Sequence, residues 1–278
     1  MATAGAAAGL YAVGSLQIKR SMQAGVPARL ATAAANLAMA LWSLPLVFLF
    51  GGDFVPESWL IAVLAGAALF AGRILSVKAL EVGDLSIVGP LLGLKTILVA
   101  CFAFATGLSP VTPWLWAAVV LVTLGVALLQ RGPARRSARR RIAGLYAGGA
   151  SVLFALCDIL VVDARQHLGL GWLATTLFVT VALLTPLLGW HRPPPAQGRA
   201  PLLWGAAVMG FQTFLVVLLI GITGEAVLIN IVYATRALWT VVADRHFGRF
   251  SDVHSHYHLR MAGAVMVVAA IVIVVFQR

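Results

Sequence analysis

The chain has 278 residues, of which 61% are hydrophobic and only 10% charged, with a mean hydropathy of +0.97. A soluble domain of this length carries about a quarter charged residues, so this surface is too poor in charge to face water, and lipid is the expected solvent. The net charge of +11 does not point to nucleic acid, because the basic residues lie in short gaps between apolar stretches and not on an amphipathic face.

Ten apolar stretches are long enough to read as membrane spans: 3–18, 30–50, 58–79, 85–106, 113–130, 142–162, 171–190, 201–221, 224–243 and 259–276. The first is short and rich in Ala and Gly. Turn chemistry separates the others, as at Gly51-Gly52-Asp53, Ser109-Pro110 and Pro193-Pro194-Pro195. The breaks near 83 and 223 are tight, so 58–106 and 201–243 read as helical hairpins. Cys101 and Cys157 both sit inside apolar runs and suggest neither a disulfide framework nor a zinc site. The N-terminus lacks the basic start of a removable signal; its first charges, Lys19 and Arg20, follow the apolar run.

Basic residues cluster in or beside the gaps after spans 1, 3, 5, 7 and 9, whereas the other gaps and the C-terminus hold only Arg165 and Arg278. The positive-inside rule therefore makes the odd-numbered gaps cytoplasmic and puts both termini outside, in a multi-pass protein of the inner membrane. The densest run, Arg131, Arg135, Arg136, Arg139, Arg140 and Arg141, reads as a cytoplasmic anchor and linker, with an anionic-lipid site as the other reading.

The chain resembles itself. Gly9-Leu10-Tyr11-Ala12 recurs as Gly144-Leu145-Tyr146-Ala147. A shift of 141 residues pairs Gly83-Asp84 with Gly224-Glu225, Phe70 with Phe211, Lys95 with Arg236 and Gly107 with Gly248. Five spans per half is an odd number, so the halves cross the membrane in opposite senses. The expected fold class is thus an all-α integral membrane protein of ten transmembrane helices in two five-helix inverted repeats, 1–130 and 142–278, joined by the basic linker 131–141.

The segment Ala79-Leu80-Glu81-Val82-Gly83-Asp84-Leu85-Ser86, followed by Gly89-Pro90-Leu91-Leu92, resembles the drug/metabolite transporter (DMT) superfamily, EamA type, as does Leu124-Gly125-Val126-Ala127-Leu128-Leu129. Ile231 stands where the second half would carry the matching small-Pro pair, and the Glu that usually follows the glycine matched by Gly107 is missing. The resemblance covers nearly the whole chain. It implies a permease with a central cavity lined by helices 1–4 and 6–9, peripheral helices 5 and 10, and export more often than uptake.

Charges inside the spans are the candidate site. Lys95 and Arg236 lie near the middle of spans 4 and 9, where each cation costs on the order of 3 kcal/mol unless it faces a cavity or a partner. Their matched positions predict convergence between the halves, where a guanidinium would grip a carboxylate, phosphate or sulfonate and the ammonium would act as a point charge. The pair is similar to the phosphate clamp of plastidic triose-phosphate translocators, although Thr235 stands here in place of a second basic residue beside Arg236. The alternative is satisfaction of these cations by backbone carbonyls or by Asp158. Asp158 is the one acid well inside a span, open to proton coupling, gating against Arg236, or a structural ion pair. Arg73 is read as snorkelling toward the cytoplasmic face, with gating as the functional reading. Asn230, Tyr233 and Arg236 share a helical face; with Gln212 they offer hydrogen bonds to a ligand or between helices. Tyr11, Tyr146 and Trp239 either shape the cavity or pack at interfaces.

Gly89-Pro90-Leu91-Leu92-Gly93-Leu94-Lys95-Thr96 has one residue too many before Lys95 for a P-loop and no preceding strand, so no ATPase is expected. His254, His256 and His258 read as a solvated loop more readily than as a metal site. The expected function is secondary active transport, as an exporter, of a small organic anion or zwitterion by alternating access. Proton or exchange coupling is expected, with no cofactor, no metal, no catalytic residues and no nucleic-acid partner. The alternatives are export of neutral or hydrophobic metabolites past structural cations, and an integral-membrane enzyme, for which single scattered acids without HExxH or DxD give no support.

Overall fold

Apolar runs broken by Gly, Pro and short charged gaps fold into helices because, away from water, only a helix satisfies its own backbone groups. The structure, a computed structural model, describes residues 1–52, 55–82, 85–129, 140–189, 193–247 and 257–276. The turn at Gly83-Asp84, the basic run from Arg131 to Arg139, Gly248, His254, His256 and Arg278 lie outside the described residues.

Every regular element among the described residues is helical. In chain order they are α1 (Ala2–Gln23), α2 (Ala28–Ser43), α3 (Pro45–Phe50), α4 (Pro56–Val82), α5 (Leu85–Gly93), α6 (Lys95–Thr106), α7 (Pro113–Leu129), α8 (Arg140–Ala164), α9 (Leu170–Leu184), a 3-10 turn Thr185–Leu188, α10 (Ala196–Thr223), α11 (Ala226–Tyr233), α12 (Arg236–Phe247) and α13 (Tyr257–Phe276). Among the described residues, seven helical stretches are long and apolar enough to cross a membrane: Ala28–Phe50, Pro56–Val82, Arg141–Ala164, Leu170–Leu188, Ala196–Thr223, Ala226–Ala243 and His258–Phe276. Pro90–Thr106 and Pro113–Leu129 are shorter apolar helices. The outer surface carries large side chains that water would not tolerate together, among them Phe48 (90% exposed), Leu145 (76%), Leu183 (74%) and Phe276 (83%). The described residues form an all-helical protein whose long apolar helices suit a membrane-spanning chain.

Small residues set the packing. Lipid gives helices little hydrophobic reason to associate, so close backbone approach matters more. Helices α7 and α13 meet at Gly125 and Gly263, where a Cβ on Gly263 would lie 2.6 Å from the Gly125 carbonyl oxygen and one on Gly125 would lie 2.8 Å from that of Gly263. On α4, Gly66 presses against the Leu177 carbonyl of α9 in the same way. Helix α1 lies along α10, where Gly14 admits Met209 and Gly205 admits Ile18. Helix α4 packs on α8 and α9, α2 on α9 and α10, α1 also on α12, and α5 and α6 on α8. The turn expected near 223 is made by Gly224, whose φ of 74 ends α10 in the left-handed conformation that glycine adopts without strain.

Among the described residues, four helical stretches are broken. The α2/α3 break at Leu44 precedes Pro45, and α9 passes into its 3-10 turn at Thr185, before Pro186. A proline has no N–H for the helical ladder, which accounts for both. The other two breaks fall at Leu94, between α5 and α6, and at Ala234–Thr235, between α11 and α12.

Candidate functional site

Lys95 opens α6 and Arg236 opens α12. The turns before them are alike: Leu94 has φ −61 and ψ −16, Ala234 φ −62 and ψ −17, values of a tightened 3-10 turn. The amide of Leu94 bonds to the Leu91 carbonyl and that of Thr235 to the Val232 carbonyl, both across three residues. Pro90 lies inside α5 and its missing amide affects the turn before it, so it does not account for the turn at Leu94, and nothing in the sequence explains the one at Ala234–Thr235. Both cations line one small recess with room for about a single water, together with Gly93, Thr96, Val126, Asn230, Tyr233, Ala234 and Ala237.

Lys95 is paired. Its Nζ lies 2.7 Å from Asp158 Oδ2, with the Lys95 side chain 14% and the Asp158 side chain 4% exposed. Asn230 Nδ2 donates to the same oxygen at 2.6 Å and to the Ala226 carbonyl at 2.9 Å. The pair ties α6 to α8, and Asn230 adds α11. Charge and hydrogen bonding are thereby satisfied at the outer limit of what burial tolerates. Asp158 engages Lys95 here, not Arg236.

Arg236 is held by aromatic faces. Its guanidinium carbon sits 5.1 Å from the Tyr11 ring centroid and 4.7 Å from that of Tyr233. The two rings meet edge to face, 6.3 Å apart. The Tyr233 hydroxyl donates to Gln212 Oε1 at 2.6 Å, and Gln212 Nε2 donates to the Met209 carbonyl and to Thr213 Oγ1, so α10 braces α11. Gln212, Asn230 and Tyr233 are buried.

Arg73, half-buried on α4, donates from Nη1 to Met39 Sδ at 3.6 Å, while its Nε is buried without a partner. It lies within electrostatic reach of Tyr11 and Tyr233. Tyr146 is elsewhere: it packs with Ala79, Val88, Ala143 and Ala147. The four-residue echo between Tyr11 and Tyr146 has a spacing of 135, whereas Lys95 and Arg236 match at 141, and six residues of helix are about 9 Å of rise. Trp239 is half exposed and does not line the recess. One polar residue outside the sequence-based selection, Thr96, lines the recess; Asn36 and Ser76, whose Oδ1 and Oγ are buried without partners, do not line it. Only the polarity of Asn36 and Ser76 within apolar spans marked them. No group of three or more His, Cys, Asp or Glu that would suit a metal ion occurs among the described residues.

No protein-family model matches the chain, and no curated protein does. A solved structure described only as "Crystal structure of protein" is similar over 99% of this chain and 96% of its own, with 18% identity and a TM-score of 0.75. The chain therefore shares its fold with a protein of known structure.

Proposed function

We propose that this protein is a secondary transporter of the DMT type that carries a small organic anion or zwitterion across the inner membrane by alternating access. The observation that carries the reading is the placement of Lys95 and Arg236 at matched helix breaks on the wall of one recess. Broken helices at mid-membrane are where transporters of repeated architecture bind their cargo. Two cations, Lys95 and Arg236, line the recess with one acid, Asp158, paired to Lys95, which leaves an excess of positive charge for an anion to neutralise.

The ten-span inverted-repeat arrangement belongs to the same proposal, and the packing supports it. Number the expected spans in chain order and exchange each with its counterpart five places on. Then α4 on α8 maps onto α10 on α1, α2 on α10 maps onto α9 on α4, α1 on α12 maps onto α8 on α6, and α7 on α13 maps onto itself. The shift of 141 carries Pro45 onto Pro186 and Leu94 onto Thr235, so the breaks follow the repeat as well.

The Lys95–Asp158 pair favours a second reading, in which the cations are structural and the cargo is neutral. Transport by the full chain in sealed proteoliposomes separates the two. In the first reading the wild type exchanges labelled anions, and Lys95→Ala and Arg236→Ala each lose at least about tenfold in rate, the loss expected for one charge-assisted contact. Retained exchange in both variants, or transport of neutral solutes alone, refutes it.

A further inference from the structure

Resting on the alternating-access reading, we propose that Arg29 and Arg165, at opposite ends of the helix bundle, are latches across one seam, and that release of each opens the recess toward its own end.

The packing sorts most of the helices into two sets. Helices α1, α2, α10 and the α11/α12 pair form one, since α1 lies along α10 and α12, and α2 lies on α10. Helices α4, α8, α9 and the α5/α6 pair form the other, since α4 packs on α8 and α9, and α5 and α6 pack on α8. The sets meet where α2 lies on α9 and where α6 lies on α11. The recess sits on that seam, with Gly93, Lys95 and Thr96 from one side and Asn230, Tyr233 and Arg236 from the other. The hydrogen bond from Asn230 to Asp158 crosses it at 2.6 Å.

Each arginine crosses the same seam at one end. Arg29, in the first turn of α2, meets Glu81 in the last turn of α4, with Nε 3.1 Å from Oε1 and Nη2 3.2 Å from Oε2. Arg165, just past the end of α8, donates from Nε to the Gly221 carbonyl at 2.7 Å and from Nη2 to the Ile222 carbonyl at 2.9 Å, both in the last turn of α10. The two ends are opposite. Ala79, beside Glu81, packs with Ala143 near the start of α8, whereas Arg165 follows its last residue, about 33 Å farther along the helix. The repeat matches the two contacts as well. A shift of 141 carries Glu81 onto Ile222, and Arg29 and Arg165 stand in the gaps after the first and sixth expected spans, which are counterparts.

Neither contact is expensive to release. The Arg29 and Glu81 side chains are 46% and 39% exposed, and an exposed pair of this kind holds weakly. The Gly221 and Ile222 carbonyls are among the last four of α10, which helical amides do not reach, so water at the helix end can take over from Arg165. Gly224 makes room for the guanidinium, since a Cβ there would lie 2.5 Å from Arg165 Nη1. An apolar seal would have to bare its surface each time it opened, whereas these polar contacts exchange for water at small cost.

The test uses the full chain with Cys101→Ala and Cys157→Ala and one reporter, Thr96→Cys, on the recess wall. A membrane-impermeant methanethiosulfonate labels it from either side, in right-side-out and inverted vesicles. Arg29→Gln and Glu81→Gln should each raise the labelling rate from the Arg29 end about two- to fivefold, and the exchanged pair Arg29→Glu/Glu81→Arg should bring it back toward the parent value. Arg165→Gln should raise labelling from the other end at least about tenfold, the equivalent of one charge-assisted hydrogen bond. High salt should reproduce the first effect and not the second, because Arg165 ends on neutral carbonyls. Unchanged labelling in these variants, or a rise from the same end whichever contact is loosened, overturns the proposal. If Arg165→Gln does not yield a monodisperse protein, Arg165→Lys decides, and unchanged labelling there overturns that latch. Labelling needs no cargo, so failure of the wild type to exchange anions refutes the anion reading, while the latches stand or fall on the labelling.

Discussion

Replacing Asp158 by leucine removes the carboxylate oxygen that Lys95 meets at 2.7 Å and Asn230 at 2.6 Å. Asn230 loses little, because its amide keeps the Ala226 carbonyl at 2.9 Å. Lys95 loses its counter-ion. Breaking a buried pair from one side costs about 3–5 kcal/mol, and a cation stranded at mid-membrane about 3 kcal/mol on insertion scales. The Lys95 side chain is 14% exposed and so can be hydrated in part, which favours the lower figure, about 3 kcal/mol. The double variant Asp158→Leu/Lys95→Met leaves no stranded charge and should return to within about 1 kcal/mol of wild type, since apolar replacement of a whole buried pair is often neutral. The coupling between the two sites is then about 2 kcal/mol or more, read from unfolding in mixed micelles by tryptophan fluorescence across the four proteins of the cycle. Single-variant costs that simply add, with coupling under about 0.5 kcal/mol, would show that the pair does not hold α6 to α8.

Gly263→Ala should lower thermal stability by about 1–3 kcal/mol, because the added methyl group would sit 2.6 Å from the Gly125 carbonyl and force α7 and α13 apart; an unchanged melting profile refutes the close contact. A periplasm-active reporter fused after Arg278 should be active, and one fused within the basic run 131–141 silent. The reverse pattern would invert the orientation drawn from the charge asymmetry.

Membrane-compatible, all-helical character was legible at once, because lipid imposes one pattern: long apolar runs with charge at their ends. The expectation that Lys95 and Arg236 lie near the middle of their spans came from the same arithmetic. What they touch did not, since ion pairing in a bundle depends on azimuth, which span boundaries leave open by a residue or two, and one residue turns a helix by 100°. Hence Asp158 was left between proton coupling, gating against Arg236 and a structural ion pair, and Arg73 between snorkelling and gating. Tyr146 joined Tyr11 by a local echo of four residues, and the longer-range spacing of 141 was the better guide. The breaks before Lys95 and Arg236 were not legible, since 85–106 and 224–243 read as continuous apolar spans and no proline stands at either break.

The placement of both cations at a break has an electrostatic logic. The first residues of α6 and α12 lie where one helical segment ends and the next begins, so each cation meets the carbonyl ends of the segment before it and the amide ends of the segment after. The carbonyl ends help to retain a cation inside the membrane. The amide ends, as the positive pole of α6 or α12, would add to the attraction for an anion under the proposed function. With the Arg236 guanidinium resting on two aromatic faces and the Lys95 ammonium held by one carboxylate, neither charge is satisfied as fully as water would satisfy it. A site in that condition gains most from an oxyanion.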